Sequence, residues 1–199
     1  MDDLRPVANF LFEIGILNHT PRSGYNFIGA GRQSVAEHIH RVIYCGYALS
    51  KLAGDNVNAD TVIRMCLFHD ITESRISDLN YVHQQYVERN EEKALHDITR
   101  DLPFGSEISG SVEEYEKRES MEAQIAKDAD QLELLLTLKE QIDEGNAKAA
   151  SWVKSIMKRF KTEVARKLAE QILETDSDAW WFTDKDGEWW NNRSEAPKV

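Results

Sequence analysis

The sequence predicts an all-α fold, a bundle of about six or more helices, from three observations. Apolar residues recur at helical spacing in most segments, strand-like alternation is nearly absent, and the 199 residues include only 4 Pro and 10 Gly. The chain is long enough for one substantial core, so residues 1–178 read as a single domain followed by an aromatic-rich tail over 179–199.

Each element has its own signal. Leu4 to Leu17 is apolar at helical spacing and ends before the loop His19-Thr20-Pro21-Arg22-Ser23-Gly24. Ser34 is an N-cap with Glu37 in the capping-box position, opening a helix to about Ala53, which Gly54-Asp55-Asn56 closes. Asp60 to about Asp70 reads as a further helix, with an irregular piece around Arg75 to Tyr81. Asn90 to Asp101 and Ser106 to Arg118 are charged, amphipathic segments separated by Leu102-Pro103-Phe104-Gly105. Met121 to Glu144 is the longest clean pattern, with Ile125, Ala129, Leu132, Leu135, Leu136 and Ile142 on or near one face. Gly145-Asn146 signals its end, and one last helix is expected from Ala147 to about Thr175. In the tail, Trp180-Trp181 and Trp189-Trp190 flank a turn-like Asp186-Gly187; the rings either serve a partner or, the favoured reading, fold back onto the core.

Charge narrows the function. Lys and Arg total 24 against 35 Asp and Glu, and the net charge of −11 disfavours a nucleic-acid partner. No apolar run approaches the ~20 residues of a membrane span, and the acidic start, MDDLRPVANFLFEIGIL, lacks the bases of a signal peptide. Cys45 and Cys66, both in apolar surroundings, suit a reducing compartment, so a cytoplasmic location is expected.

The stretch 65-MCLFHDITES-74 sets His69 and Asp70 behind an apolar run, where burial is costly unless a cation compensates the polar groups. His38 in 33-QSVAEHIHR-41 and Asp130 in 127-KDADQLELL-135 are isolated in the same way. Together they offer two imidazoles and two carboxylates from three helices, a set that suits one divalent ion such as Mn, Co, Mg, Ni or Zn. Four protein ligands on a six-coordinate ion leave room for water and a substrate oxygen, which is a hydrolytic arrangement.

With these flanks, the sequence resembles the HD-domain metal-dependent phosphohydrolases, in particular the branch of HD-type 5′-deoxynucleotidases. The resemblance runs from Thr20-Pro21-Arg22-Ser23-Gly24-Tyr25 through Ser34-Val35-Ala36-Glu37-His38, His69-Asp70-Ile71-Thr72-Glu73 and Ser77-Asp78-Leu79 to Asp128-Ala129-Asp130-Gln131-Leu132, roughly residues 5 to 175. It implies that His38, His69, Asp70 and Asp130 hold the metal. It implies further that Glu73, on their face by helical i+3 and i+4 spacing, orients or deprotonates water, that Arg22 grips the phosphate, and that Asp78 accepts a hydrogen bond from the sugar hydroxyl. The implied substrate is a (deoxy)nucleoside 5′-monophosphate, and the implied assembly is a homodimer.

Gln33 stands where an acid is common in that family, Ser77 where a Gly is common, and Tyr25 where a Trp is common. Two alternatives stay open: hydrolysis of another nucleotide, such as a triphosphate, cyclic dinucleotide or alarmone, and a non-catalytic module that uses the metal only to join helices. Of the other histidines, His40 points away from His38, and His19, His83 and His96 read as surface or supporting groups. The basic residues between Lys154 and Lys167 read as an ordinary ion-paired helix surface.

Overall fold

The computed structural model describes residues 3–183 and residue 187, and among these the regular structure is helical. α1 (Arg5–Ile14) carries Pro6 in its first turn, where a missing N–H costs nothing, and passes into a 3-10 turn over Gly15–Asn18. A single turn, α2 (Tyr25–Ile28), precedes α3 (Val35–Ala53). At the start of α3 the Ser34 hydroxyl accepts from the Glu37 amide, and the Glu37 carboxylate accepts in return from the Ser34 amide, so the capping box forms as expected. α4 (Ala59–Phe68), capped by Asn58, ends just before His69. A short α5 (Glu73–Ile76), α6 (Glu91–Thr99), α7 (Gly105–Lys117) and α8 (Met121–Asp143) follow, the last three close to their expected spans.

The expected final helix is two helices, α9 (Ala147–Met157) and α10 (Glu163–Glu174). The break has a specific cause. The buried Asp128 carboxylate on α8 accepts from the Lys161 and Thr162 amides at 2.8 Å and from the Thr162 hydroxyl at 2.6 Å. Those amides would otherwise bond to carbonyls one turn back, and Thr162 is then free to cap α10 through the Ala165 amide.

α8 runs through the middle of the molecule. Its Ile125, Leu132, Leu135 and Leu138 pack against Val42 and Leu49 of α3, Val62 and Met65 of α4, Ile156 of α9, and Ala165 and Ala169 of α10. Ile71, just after α4, joins Ile98, Leu102, Ile108 and Val112 in a smaller cluster with α6 and α7. Cys45 and Cys66 are buried free thiols. Trp180 is 85% exposed and Trp181 46%, so these two rings do not fold back onto the core as favoured from sequence; Trp189 and Trp190 lie outside the described residues. Among the described residues, no helix is long and apolar enough to cross a membrane.

Because α8 is buried on nearly every side, the polar residues within it must find partners. Glu133 and Thr137 find them toward α3, Asp130 at His38 of α3 and at Lys127, and Gln131 at Asp130 and Arg159.

Candidate metal centre

His38, His69, Asp70 and Asp130 come together from three parts of the chain. The His38 Nε2 atom lies 3.4 Å from His69 Nε2, 3.2 Å from Asp130 Oδ1 and 3.7 Å from Asp70 Oδ2, and His69 Nε2 lies 3.2 Å from Asp70 Oδ2. Atoms bound at about 2.1 Å to one ion stand about 3.0–3.4 Å apart, so the spacing is that of a ligand set. His38, His69 and Asp130 form the tight trio; Asp70 is drawn partly aside by Arg22, whose Nη1 donates to Oδ2 at 3.3 Å.

The outer atoms of each ligand fix what the inner atoms offer. His38 Nδ1–H donates at 2.6 Å to Glu133 Oε2, and His69 Nδ1–H donates at 2.9 Å to the Cys66 carbonyl. Both imidazoles, when neutral, therefore present Nε2 lone pairs to the same point, beside two carboxylates. Asp130 Oδ2 accepts from Lys127 Nζ at 2.8 Å, Gln131 Nε2 at 3.1 Å and the Tyr115 hydroxyl at 3.2 Å, which leaves Oδ1 to face His38. Converging lone pairs repel one another unless a positive charge lies between them, so the donor set fits a divalent cation.

Electrostatics agree with the geometry. Burial raises the Asp70 carboxyl, but His69 and Arg22 outweigh it and hold the group below the usual range. Asp130 is likewise held down by Lys127 and His38 against burial. Burial and Arg22 work against charge on His38, yet Asp130 and Glu133 raise its affinity for a proton. Glu73 is the exception: burial first, then Asp70 and Asp78, push its carboxyl up to about 9, and its buried Oε2 has no hydrogen-bond partner.

Glu73 reaches this position by a tighter route than a continuous α-helix. The amides of Ile71, Glu73 and Arg75 bond to carbonyls three residues back, so the helical i+3 and i+4 register expected from sequence is replaced by successive tight turns. Glu73 still lines the same cleft as Arg22, Asp70, Asp78 and Asp130, a cavity of about 210 Å³. Arg22 is pinned where the Pro21–Ser34 bridge and its own amide bond to the Gln33 carbonyl tie the loop to the start of α3. Its Nε lies 3.5 Å from Asp78 Oδ2, and Ser23 donates to Asp78 Oδ1 at 3.1 Å.

A family model described as "HD domain" matches residues 14–173. The chain belongs to the HD-domain family. Among its relatives, human 5′-deoxynucleotidase HDDC2 is 31% identical over 145 residues, covering 70% of each chain. The Xenopus laevis protein of that name is 26% identical over 184 residues, covering 88% of this chain and 90% of its own. A solved structure described as a predicted metal-dependent phosphohydrolase from Magnetospirillum magnetotacticum superposes with a TM-score of 0.67 at 25% identity, covering 86% of this chain and 91% of that one. A conserved hypothetical protein from Pyrococcus furiosus gives 0.70 at 25% identity, covering 84% and 99%.

The HD domain also uses residues that sequence reading passed over. Glu133 is nearly inaccessible, holds His38, and accepts from Gln33 Nε2 at 2.7 Å, Arg41 Nε at 3.0 Å and Thr137 at 3.2 Å. An acid within the apolar face of α8, one turn after Asp130, was the available signal. Gln33, noted as a departure from the family, donates to Glu133, where an acid at that position would place two carboxylates in contact. Lys127, Tyr115 and Gln131 complete the support of Asp130. Conversely, His19, His40, His83 and His96 are exposed and stand outside the ligand set; the His40 ring lies 5.1 Å from that of Tyr44.

Proposed function

We propose that this HD domain is a metal-dependent phosphomonoesterase that releases inorganic phosphate from 2′-deoxyribonucleoside 5′-monophosphates. The observation that carries the reading is the convergence of His38 Nε2, His69 Nε2, Asp70 and Asp130 on one point in a cleft that also holds Arg22, Glu73 and Asp78. The deoxynucleotidase names of the curated relatives support the choice of substrate.

His38, His69, Asp70 and Asp130 would hold the ion. When bound, a divalent cation supplies Lewis-acid charge beside the phosphoryl group and acidifies water there. Arg22 offers a permanently charged planar fork to the phosphate and exchanges its present carboxylate partners for phosphoryl oxygens. Glu73, whose buried Oε2 has no hydrogen-bond partner among the described residues, would release its own proton once a cation offsets the charges of Asp70 and Asp78, and its carboxylate then accepts the proton of the attacking water. Water oxygen bonds to phosphorus as the P–O bond to the 5′ carbon's oxygen breaks, and a proton returns to that oxygen to give the nucleoside. Asp78, fixed by Ser23 and Arg22, accepts from the 3′-hydroxyl of the sugar.

Phosphate release from deoxy- and ribonucleoside mono- and triphosphates, with Co, Mn, Mg or no added metal, tests this. The expected result is metal-dependent release from deoxymonophosphates, lost in Asp70→Ala, and reduced about 10²-fold or more in Glu73→Ala with metal content retained. Folded, metal-loaded protein that releases no phosphate from any monophosphate refutes the activity. Full turnover by Glu73→Ala removes the base.

A further inference from the structure

The far end of the cleft is built differently from the metal end. Tyr81, in the coil after Asp78, and Trp152 of α9 stand with ring centroids 6.0 Å apart and planes inclined at 59°. The Arg159 guanidinium lies 5.7 Å over the Tyr81 ring, and its Nη1 donates to the Tyr81 hydroxyl at 3.1 Å and to Gln131 Oε1 at 3.3 Å. Gln131 in turn donates to Asp130 at 3.1 Å, so a two-step relay of bonds joins this aromatic corner to the ligand set. The three side chains line the cleft that contains Asp70 and Asp130, and they also line a second depression of about 340 Å³ that continues it over α9 between Ser151 and Ser155.

Resting on the activity proposed above, we infer that Tyr81, Trp152 and Arg159 form a nucleobase subsite, on which the base of the substrate stacks while its phosphate meets Arg22. Tyr81 is 47% exposed although it carries a large ring, which is the state expected of a platform waiting for a flat partner. Arg159 holds the platform edge and adds donors, without acceptors, toward ring nitrogens and carbonyl oxygens of a base. The sugar then lies between the two ends, near Asp78, three residues before Tyr81. The basic residues of this segment are thus not all an ion-paired helix surface: Arg159 faces the cleft, whereas Arg166 and Lys167 pair with Glu163.

The test compares dAMP with 2-deoxyribose 5-phosphate, which keeps the sugar and phosphate and lacks the base. Wild-type protein is compared with Tyr81→Ala, and with Trp152→Leu, which retains apolar volume against the core. Initial rates are paired with calorimetric titration of a hydrolysis-resistant methylenephosphonate analogue of each compound into metal-loaded protein. The inference expects dAMP to be favoured by wild type. It expects each variant to lose about tenfold in kcat/KM on dAMP, chiefly through KM, with a matching loss in analogue affinity and no change on the abasic compound. Equal losses on both compounds, or none on dAMP, overturn it. Tight, base-dependent analogue binding without turnover keeps the subsite and removes the phosphatase; turnover that ignores the base does the reverse.

Discussion

Glu133 shows how much a single buried carboxylate can decide at the residue scale. Its bond with His38 Nδ1 fixes the imidazole tautomer and leaves Nε2 facing the candidate ligand set, while His38 first, then Arg41 and Gln33, hold the Glu133 carboxyl down to about 2 against the effect of burial. Removing that support leaves the ligand in place but lets its ring rotate or protonate at the wrong nitrogen. Glu133→Gln is therefore expected to weaken metal binding about 10- to 100-fold, read by titration against a competing chelator, with helix content unchanged. Unaltered affinity would reduce Glu133 to a packing role. In the sequence the four candidate ligands, which the fold brings together, could be picked out because each stands out from an apolar or capped surrounding. Glu133 was passed over although it too interrupts the apolar face, because a Glu among leucines on a helix looks like an ordinary solvent-facing position until α8 is known to be buried on nearly every side.

At the scale of elements, boundaries marked by local chemistry were readable and those set by tertiary contacts were not. The Ser34–Glu37 box and Gly54 bracket α3 from sequence alone. The interruption between α9 and α10 depends on Asp128, 33 residues away from Lys161, and no local pattern announces it. Similarly, the tight turns that lead from Phe68 into α5 replace the continuous helix, and they set both Asp70 and Glu73 in the cleft. These turns end at Ser77, whose φ of 65° and ψ of 162° occupy a region that glycine alone enters without strain. Its position as a departure from the family's glycine thus has an energetic side. Ser77→Gly is expected to stabilise the protein by about 1 kcal/mol, raising Tm by roughly 2–4 °C in a calorimetric scan. A lower Tm would mean that the Ser77 side chain contributes more than its backbone costs.

For the whole molecule, the candidate ligands come from α3, the turn after α4, and α8, so an ion held by them would link occupancy to global stability. An ion that binds only the folded state at 100 times its dissociation constant adds about 2.7 kcal/mol. The sign of the pH dependence follows from the carboxylates. Glu73, pushed up to about 9 from an ordinary 4.5, keeps a proton in the folded, metal-free state that the unfolded chain has released, so stability falls as pH rises between those values. Asp70, Asp130 and Glu133, all depressed, act oppositely: their contribution is present above about pH 4 and is lost as pH falls through their folded values. Scanning calorimetry of metal-free protein should accordingly show Glu73→Gln raising stability clearly more at pH 8 than at pH 5. Added Mn should raise the wild-type Tm at pH 8, and a chelator should reverse it. A Glu73→Gln effect equal at both pH values would contradict the assigned burial cost.

Asp128 and Asp130 lie two residues apart on α8 yet serve different ends, one clasping the start of α10 and the other facing the ligand set. On the ribosome this imposes an order of events. All four candidate ligands have been synthesised once Asp130 is made, but the clasp that anchors the same turn of α8 waits for Lys161 and Thr162, and the core behind it waits for Ala165 and Ala169. A nascent chain between those points carries all four candidate ligands but lacks both the clasp on α8 and part of the core behind it.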